Sequence, residues 1–106
     1  MREAVIVSYA RTGLAKAGRG GFNATPPMSM AAHAIKHAVA RSKLDPAEIE
    51  DVVIGCGAPE GATGSNIARL SLIRAGLPVT SSGTTVNRFC SSGLQAIAQA
   101  SHYIMN

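Results

Sequence analysis

Three short strand-like runs, each followed by a stretch with helical signals, constrain the fold of this chain more than any other feature. Residues 3–9 are nearly all apolar and rich in β-branched types, the pattern of a strand buried on both faces. Residues 52–54, Val52-Val53-Ile54, repeat that pattern, and residues 82–87 form the third run. Between the first two, apolar residues at 31, 34, 35, 38 and 39 keep one helical stripe. That predicts a helix over 30–42 with Ser29 at its cap. Asp45-Pro46-Ala47-Glu48 is a helix-start signal with room for only a short turn before the second strand. A second helix is expected over 67–75, capped by Ser65 or Asn66 and stopped by Gly76 and Pro78. Residues 11–27, with Gly13, Gly18, Gly20, Gly21, Pro26 and Pro27, read as a loop. A third helix runs over 93–105, beginning near Cys90. The order β-α-β-α-β-α implies an α/β fold on a parallel sheet with right-handed crossovers.

That order places Cys90 just past the third strand and at the start of a helix. In parallel sheets, reactive groups gather beyond the carboxyl ends of the strands. Unpaired N–H groups and the helix dipole at a helix start favour negative charge, and the thiolate is the nucleophilic form of cysteine. The neighbours Ser91, Ser92 and Gly93 are small enough for a substrate to approach the backbone. The Cys90 N–H and those just after it can bind the oxygen of a tetrahedral intermediate. A buried cysteine acting as a small hydrophobe is the competing reading of the position alone.

Composition narrows the classes. A chain of 106 residues that is 46% hydrophobic and 15% charged has the make-up of a small globular domain. Only 4% is aromatic and Trp is absent, so the core must rest on Ala, Val, Ile and Leu. The net charge is +4, but the ten Lys and Arg are scattered, which argues against nucleic acid. A pull on an anionic, phosphorylated ligand suits this charge better. Cys56 and Cys90 form no paired framework, so free thiols in a reducing compartment, the cytoplasm by default, are expected. No apolar run reaches the roughly 20 residues that span a membrane, and the first residues do not read as a secretory signal. The chain stops at Asn106 within or just after an amphipathic run, which suggests an incomplete domain.

Other residues carry weaker signals. His33 and His37 share a helix face, but no third ligand stands at a suitable spacing, so no metal is expected. Cys56, between two glycines, reads as a small residue in a tight turn near the site. The glycines 18, 20 and 21 lack the strand-turn-helix context of a phosphate loop. Lys16 and Arg19 read as part of a solvated loop, with contact to a nucleotide as the alternative. No cofactor-binding residue is assigned.

Val86-Asn87-Arg88-Phe89-Cys90-Ser91-Ser92-Gly93-Leu94-Gln95-Ala96-Ile97 resembles the acyl-enzyme motif of the thiolases. The likeness extends along the chain: Ala4-Val5-Ile6-Val7 to Ala10-Arg11-Thr12-Gly13, Asp51-Val52-Val53-Ile54-Gly55, and Asn66-Ile67-Ala68-Arg69 to Ala75-Gly76-Leu77-Pro78. The resemblance implies two similar α/β halves, each on a five-stranded mixed sheet, with a loop domain inserted in the first. Residues 1–106 correspond to the start of the first half, without the loop domain or the second half. It further implies that Cys90 takes the acyl group of a 3-ketoacyl-CoA and that its backbone N–H serves an oxyanion hole. Free CoA then accepts the acyl group. CoA and acyl-CoA are substrates, and no cofactor is permanently bound.

The family's activating histidine, second cysteine and water-binding asparagine come from its second half, and none of those motifs is present. His33, His37 and His102 do not match them, so the 106 residues alone are expected to be inactive. The resemblance also implies a homodimer or tetramer, with Asn87 and Arg88 holding the third strand and a subunit contact. Alternatives are a biosynthetic acetoacetyl-CoA thiolase, a ketoacyl synthase of the same superfamily, and a non-catalytic thiolase-like protein that binds acyl-CoA or a partner.

Overall fold

The computed structural model describes residues 1–106. In chain order it contains α1 (Pro27–Ser42), β1 (Asp51–Gly55), α2 (Ile67–Arg74), β2 (Ser82–Val86) and α3 (Ser92–Met105). Single 3-10 turns occupy Pro46–Glu48, Gly61–Thr63 and Phe89–Ser91. No helix is long and apolar enough to cross a membrane.

The two strands pair in parallel, with Asp51 opposite Ser82 and Gly55 opposite Val86. Ser82 N–H donates to Glu50 O (2.8 Å) and Cys56 N–H to Val86 O (2.9 Å), which carries the ladder just beyond the strand ends. Alternate residues of a strand face opposite sides. Gly83 and Thr85 face α2: a β-carbon on Gly83 would lie 2.7 Å from the Arg69 nitrogen, so only glycine admits the helix at this depth. Gly55 faces the other way, where a β-carbon would lie 2.2 Å from the Ser92 carbonyl carbon. Helices α2 and α3 therefore cover opposite faces of the sheet, and α1 packs against α2.

The core is narrow and built from small and aliphatic residues, as the lack of aromatics required. Ala32, Ile67, Ala68, Leu72, Leu77 and Ala96 are buried, and Leu72 completely so. The end of α2 forms as expected. Gly76, at φ +88°, donates its N–H to Ile73 O, and Leu77 N–H reaches back to Leu72 O. Those two bonds are a Schellman closure, and Leu72 and Leu77 bury together beneath it. The short turn at Pro46–Glu48 also forms as expected. Asp45 Oδ1 accepts Ala47 N–H (3.0 Å), and Glu48 Oε2 accepts Asp45 N–H (3.3 Å).

Four expectations are corrected. Residues 3–9 form no strand, since they pair with no neighbour, and Ile6 is 80% exposed. A ladder needs a free edge alongside, and the segment instead lies against α1, held by Ser8 Oγ to Ala38 O (2.7 Å) and Arg41 Nη1 to Tyr9 O (2.8 Å). Helix α1 begins at Pro27 rather than Met30, with Pro26 in the cap position and Ser29 already inside. Proline is at home there because the first-turn N–H groups have no helical acceptor anyway. The strand of residues 51–55 is half-buried rather than buried.

The cap of α2 is the fourth. Asn66 holds the position but makes no side-chain cap. Its amide bonds Gly83 O (3.0 Å) and accepts the Thr85 hydroxyl (2.7 Å), while Thr85 Oγ1 accepts Ala68 N–H (3.2 Å). A hydroxyl 17 residues away in sequence thus serves one of the helix's orphan donors.

Candidate active site

The junction between β2 and α3 is assembled from its own backbone and three side chains. Beyond Val86, Asn87 Oδ1 accepts the Phe89 N–H (2.8 Å), an Asx turn that bends the chain off the strand. Phe89 then adopts φ +47°, in the left-handed region that bulky residues rarely enter. The turn Phe89–Ser91 closes with Ser91 N–H on Arg88 O (3.1 Å), and Ser91 Oγ bonds the same oxygen (3.0 Å). Ser92 starts α3 and is only 3% exposed. Its hydroxyl accepts Arg88 N–H (2.8 Å) and donates to Phe89 O (2.6 Å).

Cys90 sits at the centre of this turn, two residues ahead of α3, and its side chain is exposed. The N–H groups on either side, of Phe89 and Ser91, are both taken within the turn, whereas that of Cys90 meets no acceptor in the chain. The strand–turn–helix placement read from the sequence therefore holds, and within these 106 residues Cys90 is exposed. An exposed thiol beside a free N–H can attack a carbonyl carbon and donate to its oxygen.

Glycines of the β1 exit press on this turn from below. A β-carbon at Gly57 would meet Phe89 O at 3.0 Å, and Gly55 leaves room for the backbone of Ser92. Cys56, between them, is half-buried and a free thiol, with its N–H in the ladder. It fits the expected small residue in a tight turn beside the site.

Sequence reasoning misplaces one residue of this junction and leaves two others without their local roles. Ser92, read with Ser91 and Gly93 as a small residue open to substrate, is buried and its hydroxyl is consumed in the turn. Asn87, expected to hold the strand and a subunit contact, also shapes the turn through its side chain. The Asn-x-Phe stretch after a strand is a recognisable Asx-turn signal and could have revealed that. Arg88 turns along α3 and bonds Gln95 Oε1 (2.8 Å).

The other candidates lie elsewhere. The rings of His33 and His37 lie 4.4 Å apart, tilted by 53°, on an exposed face of α1, and no group of three or more His, Cys, Asp and Glu converges anywhere. His102 is exposed in α3, where its carbonyl accepts from Asn106. An open cleft of about 670 Å³ is lined by the loop around Thr12, Lys16 and Phe22 with Met30 and Ala62, and Cys90 is not part of it. Arg19 is exposed, and its N–H joins that of Gly20 on Lys16 O. Around Cys90 the surface is apolar and open: Phe89 is 76% and Leu94 72% exposed, and Ile97 extends the stripe along α3.

Residues 4–106 match the family described as thiolase, N-terminal domain. The chain belongs to the thiolase family. It is 46% identical over 105 residues to a 3-ketoacyl-CoA thiolase of Bacillus subtilis, covering 99% of this chain and 27% of that protein. A peroxisomal 3-ketoacyl-CoA thiolase of Arabidopsis thaliana is 44% identical over 94 residues, 89% of this chain and 21% of its own length. The structure superimposes on the Acat5 thiolase of Ascaris suum, crystallised with coenzyme A, with a TM-score of 0.91 and 30% identity. That match covers 98% of this chain and 27% of the Ascaris chain. The chain thus spans about a quarter of the length of these relatives.

Proposed function

We propose that these residues supply the acyl-accepting half of a thiolase-type active site, with Cys90 as nucleophile. The observation that carries the reading is the exposed thiol of Cys90 beside its own unpartnered N–H at a strand–helix turn. In this reading the Cys90 thiolate attacks the keto carbon of a 3-ketoacyl-CoA. The new C–S bond forms as the carbonyl π electrons move to oxygen, and the Cys90 N–H donates a hydrogen bond to the oxyanion. Collapse breaks the bond between keto carbon and α-carbon. The α-carbon takes a proton and leaves as acetyl-CoA, and a shortened acyl thioester stays on Cys90. The thiol of free CoA then attacks that thioester, releasing the shortened acyl-CoA and restoring the cysteine. The reverse sequence condenses two acyl-CoA molecules.

The proton-handling groups are not among these 106 residues, so the chain by itself does not turn over. Two features support that: the open apolar stripe of Phe89, Leu94 and Ile97, and the unpaired apolar segment at residues 3–9, both of which further protein would cover. CoA and acyl-CoA are the ligands, the assembly is a homodimer or tetramer, and the compartment is a reducing one such as the cytoplasm. Among the relatives, the names of the bacterial and plant proteins and the CoA bound to the Ascaris protein favour this substrate class.

The test alkylates the full-length protein with iodoacetamide, with and without 3-ketoacyl-CoA, and follows thiolysis and the mass of the Cys90 peptide. Acyl-CoA is expected to protect Cys90, alkylation to abolish activity, and Cys90→Ser to abolish acyl-enzyme formation while leaving the fold. Continued turnover after complete alkylation of Cys90 would remove it as the nucleophile. Turnover by the 106-residue chain alone, at the rate of the full-length protein, would overturn the claim of dependence.

A further inference from the structure

Ser92 is buried and two residues from Cys90, yet no step of the acyl transfer above uses it. Its hydroxyl is fully engaged, taking the Arg88 N–H and giving its own proton to Phe89 O. Phe89 O accepts a second bond from the Ser92 N–H, which starts α3. The side chain of Ser92 therefore ties the Asn87–Arg88 peptide unit to the Phe89–Cys90 unit, and its backbone holds the latter as well. Asn87 Oδ1 holds the Phe89 N–H from the strand side. Between these grips Phe89 is kept at φ +47°, a conformation unfavourable to a bulky residue that persists only where its surroundings impose it. Ser92 itself cannot drift, because its backbone rests on Gly55, where even a methyl group would collide.

We infer that Ser92 is the positioning residue of the acyl-transfer site: its hydroxyl locks Phe89 in the left-handed turn and so aims the Cys90 thiol and N–H outward together. This rests on the reading of Cys90 as nucleophile. Were Phe89 to relax toward the ordinary helical region, the Phe89–Cys90 peptide would rotate. The Cys90 N–H would then turn away from the space its thiol faces. The hydroxyl acts through backbone geometry and touches neither substrate nor the reacting atoms.

The test uses the full-length protein with Ser92→Ala and Ser92→Thr. Ser92→Ala is expected to slow acylation of Cys90 about 10- to 100-fold, the scale of an ångström-level misplacement, with KM for 3-ketoacyl-CoA held within about two-fold. Ser92→Thr keeps the hydroxyl and is expected to retain most of kcat. A folded Ser92→Ala protein that acylates at the parental rate would overturn the inference. A raised KM at parental kcat would do the same. If Ser92→Ala does not fold, Ser92→Thr decides: a folded Thr variant with kcat near parental supports the positioning role, and a loss of about ten-fold or more contradicts it. Iodoacetamide labelling of the Cys90 peptide separates this claim from the proposed function. A slower labelling of Ser92→Ala upholds the role of Ser92 even where the parent protein proves unable to form an acyl-enzyme. Labelling and acylation both unchanged would sink it.

Discussion

Residues 3–9 and strand β1 are almost interchangeable as sequence. Each centres on Val and Ile, and each carries an acidic residue at its start. One is a paired parallel strand with helices on both faces, and the other is an extended segment with no ladder. The difference lies in what stands beside them. β1 has β2 in register along its whole length, and glycines at 55 and 83 let α3 and α2 settle on the pair. Residues 3–9 have two side-chain bonds to α1 and otherwise exposed Val5, Ile6, Val7 and Tyr9. A β-branched apolar run states a preference for a sheet, and only an available edge turns that preference into a strand.

The comparison can be broken most forcefully at the end of β1. Gly55→Ala sets a carbon 2.2 Å from the Ser92 carbonyl carbon, backbone against backbone, with no flexible side chain to yield. The expected loss is about 3 kcal/mol or more in urea unfolding, together with loss of iodoacetamide reactivity typical of the folded Cys90 turn. A loss below about 1 kcal/mol would mean that α3 lifts off β1 without consequence.

A matched pair of prolines sharpens it. Bonds at Glu50 O and Cys56 N–H, six residues apart, put the alternate residues Val52 and Ile54 on the β2 side of the ladder. Ile54→Pro removes one of those donors and is expected to cost roughly 2–3 kcal/mol. Ile6→Pro has no ladder bond to remove and is expected to cost less than about 1 kcal/mol. Equal losses at the two positions would show that residues 3–9 are as firmly paired as β1.

The smallest effect tests how the sheet pair is tied to its helix. Thr85→Val keeps the shape but deletes the hydroxyl between Ala68 N–H and Asn66, for an expected loss of about 1–2 kcal/mol. Faster amide exchange should appear at Ala68 before it appears in β1. Unchanged exchange there would mean that water serves the donor as well as Thr85 does.

How much of this could be read in advance follows the reach of each signal. The Schellman end at Gly76, the Asp45-Pro46-Ala47-Glu48 turn and the place of Cys90 at a strand–helix junction are all legible, because each is decided within a few residues. The start of α1 was missed by three residues because Pro26 and Pro27 were read as loop breakers, although a first helical turn tolerates proline. The service of Thr85 to α2 and of Asn66 to β2 had no local signature at all.

By itself, then, the sequence determined the alternation of elements from α1 onward, the parallel class of the sheet, the family and the place of Cys90 between a strand and a helix. Tertiary structure alone decided that residues 3–9 meet no partner strand within these 106 residues, that Gly55 and Gly83 are the points where helices touch the sheet, and that the buried hydroxyl of Ser92 serves the turn around Cys90. The physical reason is range. A turn or a cap written within four or five residues is settled by local sterics and hydrogen bonding, whereas a ladder or a close helix–sheet contact depends on which distant backbone arrives alongside. Periodicity can say that a run of residues wants such a partner, but not whether one is there.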